Sequence, residues 1–219
     1  MTSDFLTDIQ AVVFDMDGIL LDTESISHKT WERAGLEFNI CDAGTVYHNC
    51  VGSNLTDTLA FLKKQYGTEF DADAFMRRTS ILFTEMEKED GIPLMDGAKA
   101  ALEYLKPKYR LALASSTKRA TVTRQLTEAG LIGYFETLTC GDEVAHSKPD
   151  PEIYVRACAS LAVPPHFCAA VEDSPNGIKS AHSAGLAAIM VPDLIQPDDE
   201  LKKLTARILP SLQDIDTIL

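Results

Sequence analysis

Two aspartates, Asp15 and Asp17, close the run Val12-Val13-Phe14-Asp15-Met16-Asp17-Gly18. Apolar residues running straight into a carboxylate read as a buried parallel strand, and such strands present ligands at their carboxyl ends. In extended chain, residues i and i+2 point to the same side, so Asp15 and Asp17 project together. Two carboxylates that close repel each other unless a cation or a shared proton intervenes. A hard divalent cation solves this at neutral pH, and Mg²⁺, which takes carboxylate oxygens together with a substrate phosphate, is the simplest choice. Gly18 lets the chain turn sharply and brings bare backbone close to a ligand. The same residues could open a calcium loop. However, Ile19 and Ile26 stand where that loop needs an oxygen ligand and its closing glutamate. A solvated acidic turn is the bland alternative.

Three more polar clusters follow predicted strands. Ser115-Ser116-Thr117 comes after Leu111–Ala114, and its hydroxyls with the next helix N-terminus suit a phosphoryl group; alone, the run reads equally well as an N-cap. Ser147-Lys148-Pro149-Asp150-Pro151 sets one lysine beside two prolines that stiffen the backbone, although a lone loop lysine is usually solvated. Glu172-Asp173 follows Cys168–Val171 as a second acidic pair, and Ser174-Pro175-Asn176-Gly177 then opens a helix. Acidic pairs at two strand ends, hydroxyls at a third and a lysine nearby make one metal–phosphate site. Glycine-rich dinucleotide, P-loop and nucleophile-elbow patterns are absent from the sequence.

These residues must be positioned by strands that share one edge. From Pro93 onward the sequence alternates strand and helix. Strands are predicted at 111–114, 138–140, 168–171 and 188–191, and helices at 118–129, 152–161 and 177–184. That rhythm predicts βαβ units on a parallel sheet. Between the first strand and Pro93 the pattern is helical. Ile26, Trp31, Ala34 and Phe38 space like one helix face, Leu55, Leu59 and Leu62 like a second, and Phe75, Thr79, Leu82, Phe83 and Met86 like a third. The fold class is therefore α/β, with a Rossmann-like parallel sheet formed by residues 1–20 and 91–219 and an all-helical cap inserted over residues 21–90.

The bulk numbers agree with a soluble enzyme of small molecules. A chain of 219 residues, 45% hydrophobic, can bury a full core. Its net charge of −13 repels nucleic acid, while a bound cation and a lysine can reverse the sign locally for a small phosphate. Cys41, Cys50, Cys140, Cys158 and Cys168 form no C-x-x-C pair, and the five histidines are scattered, so disulfides and zinc are not expected. No signal peptide and no membrane-length apolar run are apparent, and a cytoplasmic monomer is expected.

Taken together in this order, Asp15-Met16-Asp17-Gly18, Ser115, Lys148 and Glu172-Asp173 resemble the four motifs of the haloacid dehalogenase (HAD) superfamily. The subgroup is that of β-phosphoglucomutase-like and pseudouridine-5′-phosphatase-like enzymes. The likeness runs over nearly the full length, with Ile19 departing from the Thr or other small or branched residue usual there. It implies a Mg²⁺-dependent phosphatase of a sugar phosphate or nucleoside monophosphate. Asp15 would be the nucleophile forming an aspartyl-phosphate and Asp17 the general acid and base. Mg²⁺ would be held by Asp15, the Asp17 carbonyl and Asp173, with Glu172 supporting. Ser115 and Lys148 would hold the phosphoryl oxygens, with Ser116 and Thr117 assisting. Substrate choice would reside in the cap, at Thr23, Glu24, Ser27, Ser53 and Asn54; Trp31 reads as helix packing. An isomerase of the β-phosphoglucomutase type is the alternative, and a non-catalytic binding protein a third. The mutases carry a histidine where Ser27 aligns, and an arginine where this sequence reads Asn54-Leu55-Thr56. His28, one position off, would point about 100° away around a helix.

Overall fold

The computed structural model describes residues 6–51 and 55–219, so Ser53 and Asn54 lie outside the described residues. The chain runs β1 (Ala11–Phe14), α1 (Thr23–Glu37), α2 (Ala43–Cys50), α3 (Leu55–Tyr66), α4 (Ala72–Asp90), α5 (Ala98–Leu105) and β2 (Arg110–Ser115). It continues through α6 (Arg119–Glu128), β3 (Thr137–Cys140), α7 (Glu152–Ser160), β4 (Cys168–Glu172), α8 (Pro175–Ser183), β5 (Ala187–Met190), α9 (Asp199–Leu204) and β6 (Arg207–Ile208). Two compact units result: Met1–Asp22 with Pro93–Leu219, and Thr23–Ile92.

The first unit is a parallel sheet in the order β3-β2-β1-β4-β5-β6. The chain builds outward from β1 in one direction and returns to build outward from it in the other, so β1 sits at the switch point where open α/β sheets bind ligands. Register fixes what meets there. Phe14 pairs with Leu113 of β2 and Val171 of β4, which brings the next residue, Asp15, level with Ala114 and Glu172. The Asp15 N–H extends the ladder to the Val171 carbonyl at 3.0 Å.

Side-chain parity then decides which face the site uses. Ala11, Val13, Ala112, Ala114, Cys168, Ala170, Ala188 and Met190 pack against Ile153, Tyr154, Ala157 and Cys158 of α7 and Ile178 and Ala181 of α8. Asp15 continues the parity of Ala11 and Val13, and Glu172 that of Cys168 and Ala170, so both carboxylates emerge on the α7 face. The alanines on that face let the helices approach closely.

Among its described residues, the regular elements of the second unit are all helices. It closes around Trp31, Ala34, Val46, Tyr47, Leu62, Phe75 and Leu82. Trp31 is buried edge-to-face against Tyr47 at 5.5 Å and Phe75 at 5.2 Å, which is packing. Ile26, Trp31 and Ala34 take the buried face expected for them, whereas Leu55, expected on such a face, is 60% exposed. Helices α2, α5 and α9 and the two-residue β6 were not expected from the sequence. Among the described residues, no helix is long and apolar enough to cross a membrane.

Candidate active site

Lys148 is the centre of the constellation. Its Nζ donates to Asp15 Oδ1 at 2.6 Å, to Glu172 Oε1 at 2.6 Å and to the Ala114 carbonyl at 3.0 Å, which occupies all three ammonium donors. The three side chains are 8%, 10% and 0% exposed for Lys148, Asp15 and Glu172. Ions this buried persist only when each is paired and hydrogen-bonded. Glu172 meets that condition through Tyr154, to which the sequence reading gave no role, and through Ser174. Tyr154 Oη donates to Glu172 Oε1 at 2.8 Å, and Ser174 gives Oε2 its hydroxyl at 3.1 Å and its N–H at 3.3 Å. The Ser174 hydroxyl also accepts the Gly177 N–H at 3.0 Å, capping α8. Gly177 has no side chain for a steric reason, since a Cβ there would run into the Glu172 carboxylate.

The loop carrying Lys148 is stapled from both sides. Glu152 Oε2 accepts the N–H groups of Ala145 at 2.9 Å and His146 at 3.0 Å, and Asp150 Oδ1 accepts the Glu152 N–H at 2.9 Å. The Ser180 hydroxyl of α8 donates to the Asp150 carbonyl at 2.6 Å. His146, Asp150 and Glu152 thus form a second cluster of potential ligands, in which each carboxylate gives one oxygen to backbone N–H groups and Glu152 also pairs with Arg156.

Ser115, fully buried at the end of β2, accepts the Thr117 N–H at 3.1 Å, while Ser116 is exposed. The Thr117 hydroxyl donates to Asp17 Oδ2 at 3.1 Å, which ties the hydroxyl cluster to the second aspartate. Gly18 sits at φ +72°, where a Cβ would lie 2.5 Å from Asp173 Oδ2. Glycine there lets the turn after β1 close onto the end of β4. Asp15, Asp17, Ser115, Lys148, Glu172 and Asp173 thus meet at one sheet edge.

Electrostatics show what this edge lacks. Burial pushes the Asp15 carboxyl up to about 7; Lys148 pulls the other way, and the Glu172 and Asp17 charges add to the rise. Burial, then the Glu172 and Asp15 charges, push Asp173 well above the usual carboxylate range. Burial also opposes the Lys148 charge, but Asp15 and Glu172 outweigh it and hold the lysine above its ordinary value. Asp15, Glu172 and Asp173 offer oxygens all within 4.8 Å of one another. Those rises mean that Asp15, Glu172 and Asp173 cannot all stay ionised beside a single ammonium, and an all-oxygen set that would ionise fully only with added positive charge fits a hard divalent cation.

In the helical unit, Thr23 is buried at the start of α1 and Ser27 is half-buried, its carbonyl accepting from the Thr30 hydroxyl at 2.7 Å. Glu24 is held by the Tyr47 hydroxyl, a partner the sequence reading missed. Tyr47 and Tyr154 both lie on helix faces where an aromatic reads as packing, and their hydroxyl partners are distant in sequence.

The model of the haloacid dehalogenase-like hydrolase family matches residues 12–191. A Thermotoga maritima protein named phosphorylated carbohydrates phosphatase is 32% identical over 186 residues, covering 83% of this chain and 84% of its own. A solved structure from the same organism, provisionally named a β-phosphoglucomutase, is 27% identical with a TM-score of 0.80, covering 96% of this chain and 100% of that one. A HAD family hydrolase from Deinococcus radiodurans, solved with phosphate and sodium bound, is 26% identical with a TM-score of 0.80, over 95% and 93% of the two chains. A family match that spans the first aspartate pair, the lysine and the second acidic pair settles the kinship: the chain belongs to the haloacid dehalogenase-like hydrolases.

Proposed function

We propose that this phosphatase of the HAD-like family hydrolyses the phosphate monoester of a small metabolite, with Mg²⁺ as cofactor and an aspartyl-phosphate on Asp15 as intermediate. The observation that carries the reading is the buried Lys148 ammonium shared by Asp15 and Glu172, at 2.6 Å each, beside an Asp173 that lacks charge balance. Asp15 and Asp173 would hold the cation with the Asp17 carbonyl, and Glu172 would support them. The cation supplies neutralisation of the phosphoryl charge, so that a carboxylate can approach phosphorus.

The chain's own residues supply the rest. An Asp15 carboxylate oxygen bonds to phosphorus as the bond to the leaving alcohol oxygen breaks. Asp17, steadied by the Thr117 hydroxyl at 3.1 Å, gives its proton to that oxygen and then takes one from the water that attacks the aspartyl-phosphate. Inorganic phosphate and free Asp15 result. Ser115 and Lys148 hold the transferring oxygens, with Ser116 and Thr117 assisting. Substrate choice is assigned to the helical unit, at Thr23, Glu24 and Ser27, together with Ser53 and Asn54. The Thermotoga maritima relative is named for phosphorylated carbohydrates, so sugar phosphates are the first substrates to try.

Phosphate release from a panel of sugar phosphates and nucleoside monophosphates, with Mg²⁺ and again with chelator, tests the reading. Release with Mg²⁺ and none in chelator is expected. Isomerisation of β-glucose 1-phosphate to glucose 6-phosphate without net phosphate release would replace hydrolysis with the mutase reading.

A further inference from the structure

We infer that Tyr154 is a positioning residue of the phosphoryl-transfer site, acting through Glu172 to hold Lys148 while the lysine changes partners. The inference rests on the phosphatase reading above. Lys148 has three N–H donors, and Asp15, Glu172 and the Ala114 carbonyl take all three. To hold a phosphoryl oxygen, the ammonium must release one of them. Asp15 is the partner that gives way, because its carboxylate becomes the group bonded to phosphorus. The lysine must then stay anchored at its other two contacts, and of these only Glu172 carries charge.

Glu172 can anchor it only if the carboxylate itself does not turn. Its Oε2 is fixed by the Ser174 hydroxyl and N–H, and its Oε1, the oxygen that faces Lys148, is fixed by the Tyr154 hydroxyl at 2.8 Å. Tyr154 is itself fully buried, in one apolar cluster with Ala114, Ala157, Cys168 and Ala170. The Lys148 Nζ lies 5.1 Å from its ring centroid, within reach of a cation–π attraction. One side chain thus holds both the lysine's anchor and the lysine. Without the hydroxyl, Oε1 keeps only the lysine itself as a partner, and the carboxylate can pivot about Oε2 as Lys148 moves.

The test compares Tyr154→Phe with the unaltered protein by two readouts, each with Mg²⁺. Turnover of the best substrate from the panel should fall by about 10-fold with KM little changed, within the 10–100-fold usual for a residue that orients a metal or phosphate ligand. Orthovanadate, which takes the five-coordinate geometry of the transition state, should raise the melting temperature of the unaltered protein and raise that of Tyr154→Phe much less. Without vanadate the melting temperature should fall by only several degrees, as for the loss of one buried hydrogen bond to a charge, so the folded protein remains available for the comparison. On a Glu172→Ala background, Tyr154→Phe should cause no further loss of the vanadate shift, because the residue it acts through is gone. An unchanged turnover and vanadate shift in Tyr154→Phe would overturn the inference. So would losses that add in full on the Glu172→Ala background, which would make Tyr154 a packing residue only. The vanadate arm separates the two readings. A protein that hydrolyses nothing, yet loses its vanadate shift with Tyr154→Phe, refutes the phosphatase reading and keeps this one.

Discussion

The α7 face of the sheet and the core of the helical unit bury aromatic residues by different logics. On the α7 face of the sheet, small residues such as Ala112, Ala114 and Ala170 leave room for one fully buried ring, Tyr154, whose hydroxyl is spent on a charge. In the helical unit, Trp31, Tyr47 and Phe75 pack edge-to-face on one another, and ring contact is the main business of the core. The first arrangement fixes the direction of a few polar bonds; the second chiefly fills volume, although its Tyr47 hydroxyl also holds Glu24. Substitutions at the sheet edge should therefore cost activity far more than stability, and substitutions in the ring cluster the reverse.

The sharpest break in that contrast comes from Asp15→Asn. An amide neither attacks phosphorus nor serves as an anionic ligand, so phosphate release should fall below detection. The protein should still fold, because the change is nearly isosteric and removes one of three crowded carboxylates. Turnover well above background in this variant would remove the aspartyl-phosphate from the mechanism.

Asp17→Ala comes next, with an expected loss of about 10²–10⁴-fold, the usual worth of a positioned acid–base group. The loss should shrink for p-nitrophenyl phosphate, whose leaving group departs without a proton. Equal losses on alkyl and aryl phosphates would reduce Asp17 to a structural role.

A smaller effect is expected at the second acidic pair. Asp173→Asn should raise the Mg²⁺ concentration needed for half-maximal activity by about 10-fold or more, as for other changes around a metal site, while turnover at saturating Mg²⁺ is better preserved. Chelator should silence the unaltered protein, and added Mg²⁺ should restore it. Full activity in chelator would show that these carboxylates hold no catalytic cation.

The contrast between the units also explains what the sequence made legible. Asp15, Asp17, Ser115, Glu172 and Asp173 could be named because each closes or follows an apolar strand, where a polar group stands out against its neighbours; Lys148, in a proline-flanked loop beyond β3, could be named only in combination with them. Tyr154 stayed hidden because it shares the α7 face with Ile153, Ala157 and Cys158, where a tyrosine looks like one more core residue. Only the register that places Glu172 beside β1 reveals what its hydroxyl is for. Helix α2 escaped for a related reason: its buried set, Ala43, Val46, Tyr47 and Cys50, has helical spacing, but small and polar neighbours such as Gly44, Thr45 and Asn49 blur it. Leu55 misled in the other direction. It keeps helical spacing with Leu59 and Leu62, yet stands in the first turn of α3 and projects to solvent.

The mildest test falls on the ring cluster. Phe75 meets Trp31 at 5.2 Å, Phe38 at 5.4 Å and Phe70 at 5.8 Å, the first two nearly perpendicular. Such contacts add about 0.5–1.5 kcal/mol each beyond the area they bury. Phe75→Leu keeps most of the apolar surface and lets the neighbours partly repack, so the net cost should be about 1–2 kcal/mol. Urea unfolding would read this as a lower midpoint with little change in slope. Turnover of p-nitrophenyl phosphate, whose small leaving group asks little of substrate-selecting residues, should remain close to that of the unaltered protein. Phe75 belongs to the helical unit, whereas Lys148, Glu172 and Asp15 belong to the sheet unit. A fall in turnover as steep as that caused by Tyr154→Phe would show that ring packing and phosphoryl chemistry are coupled. The division between a bond-directing core and a volume-filling one would then have to be abandoned.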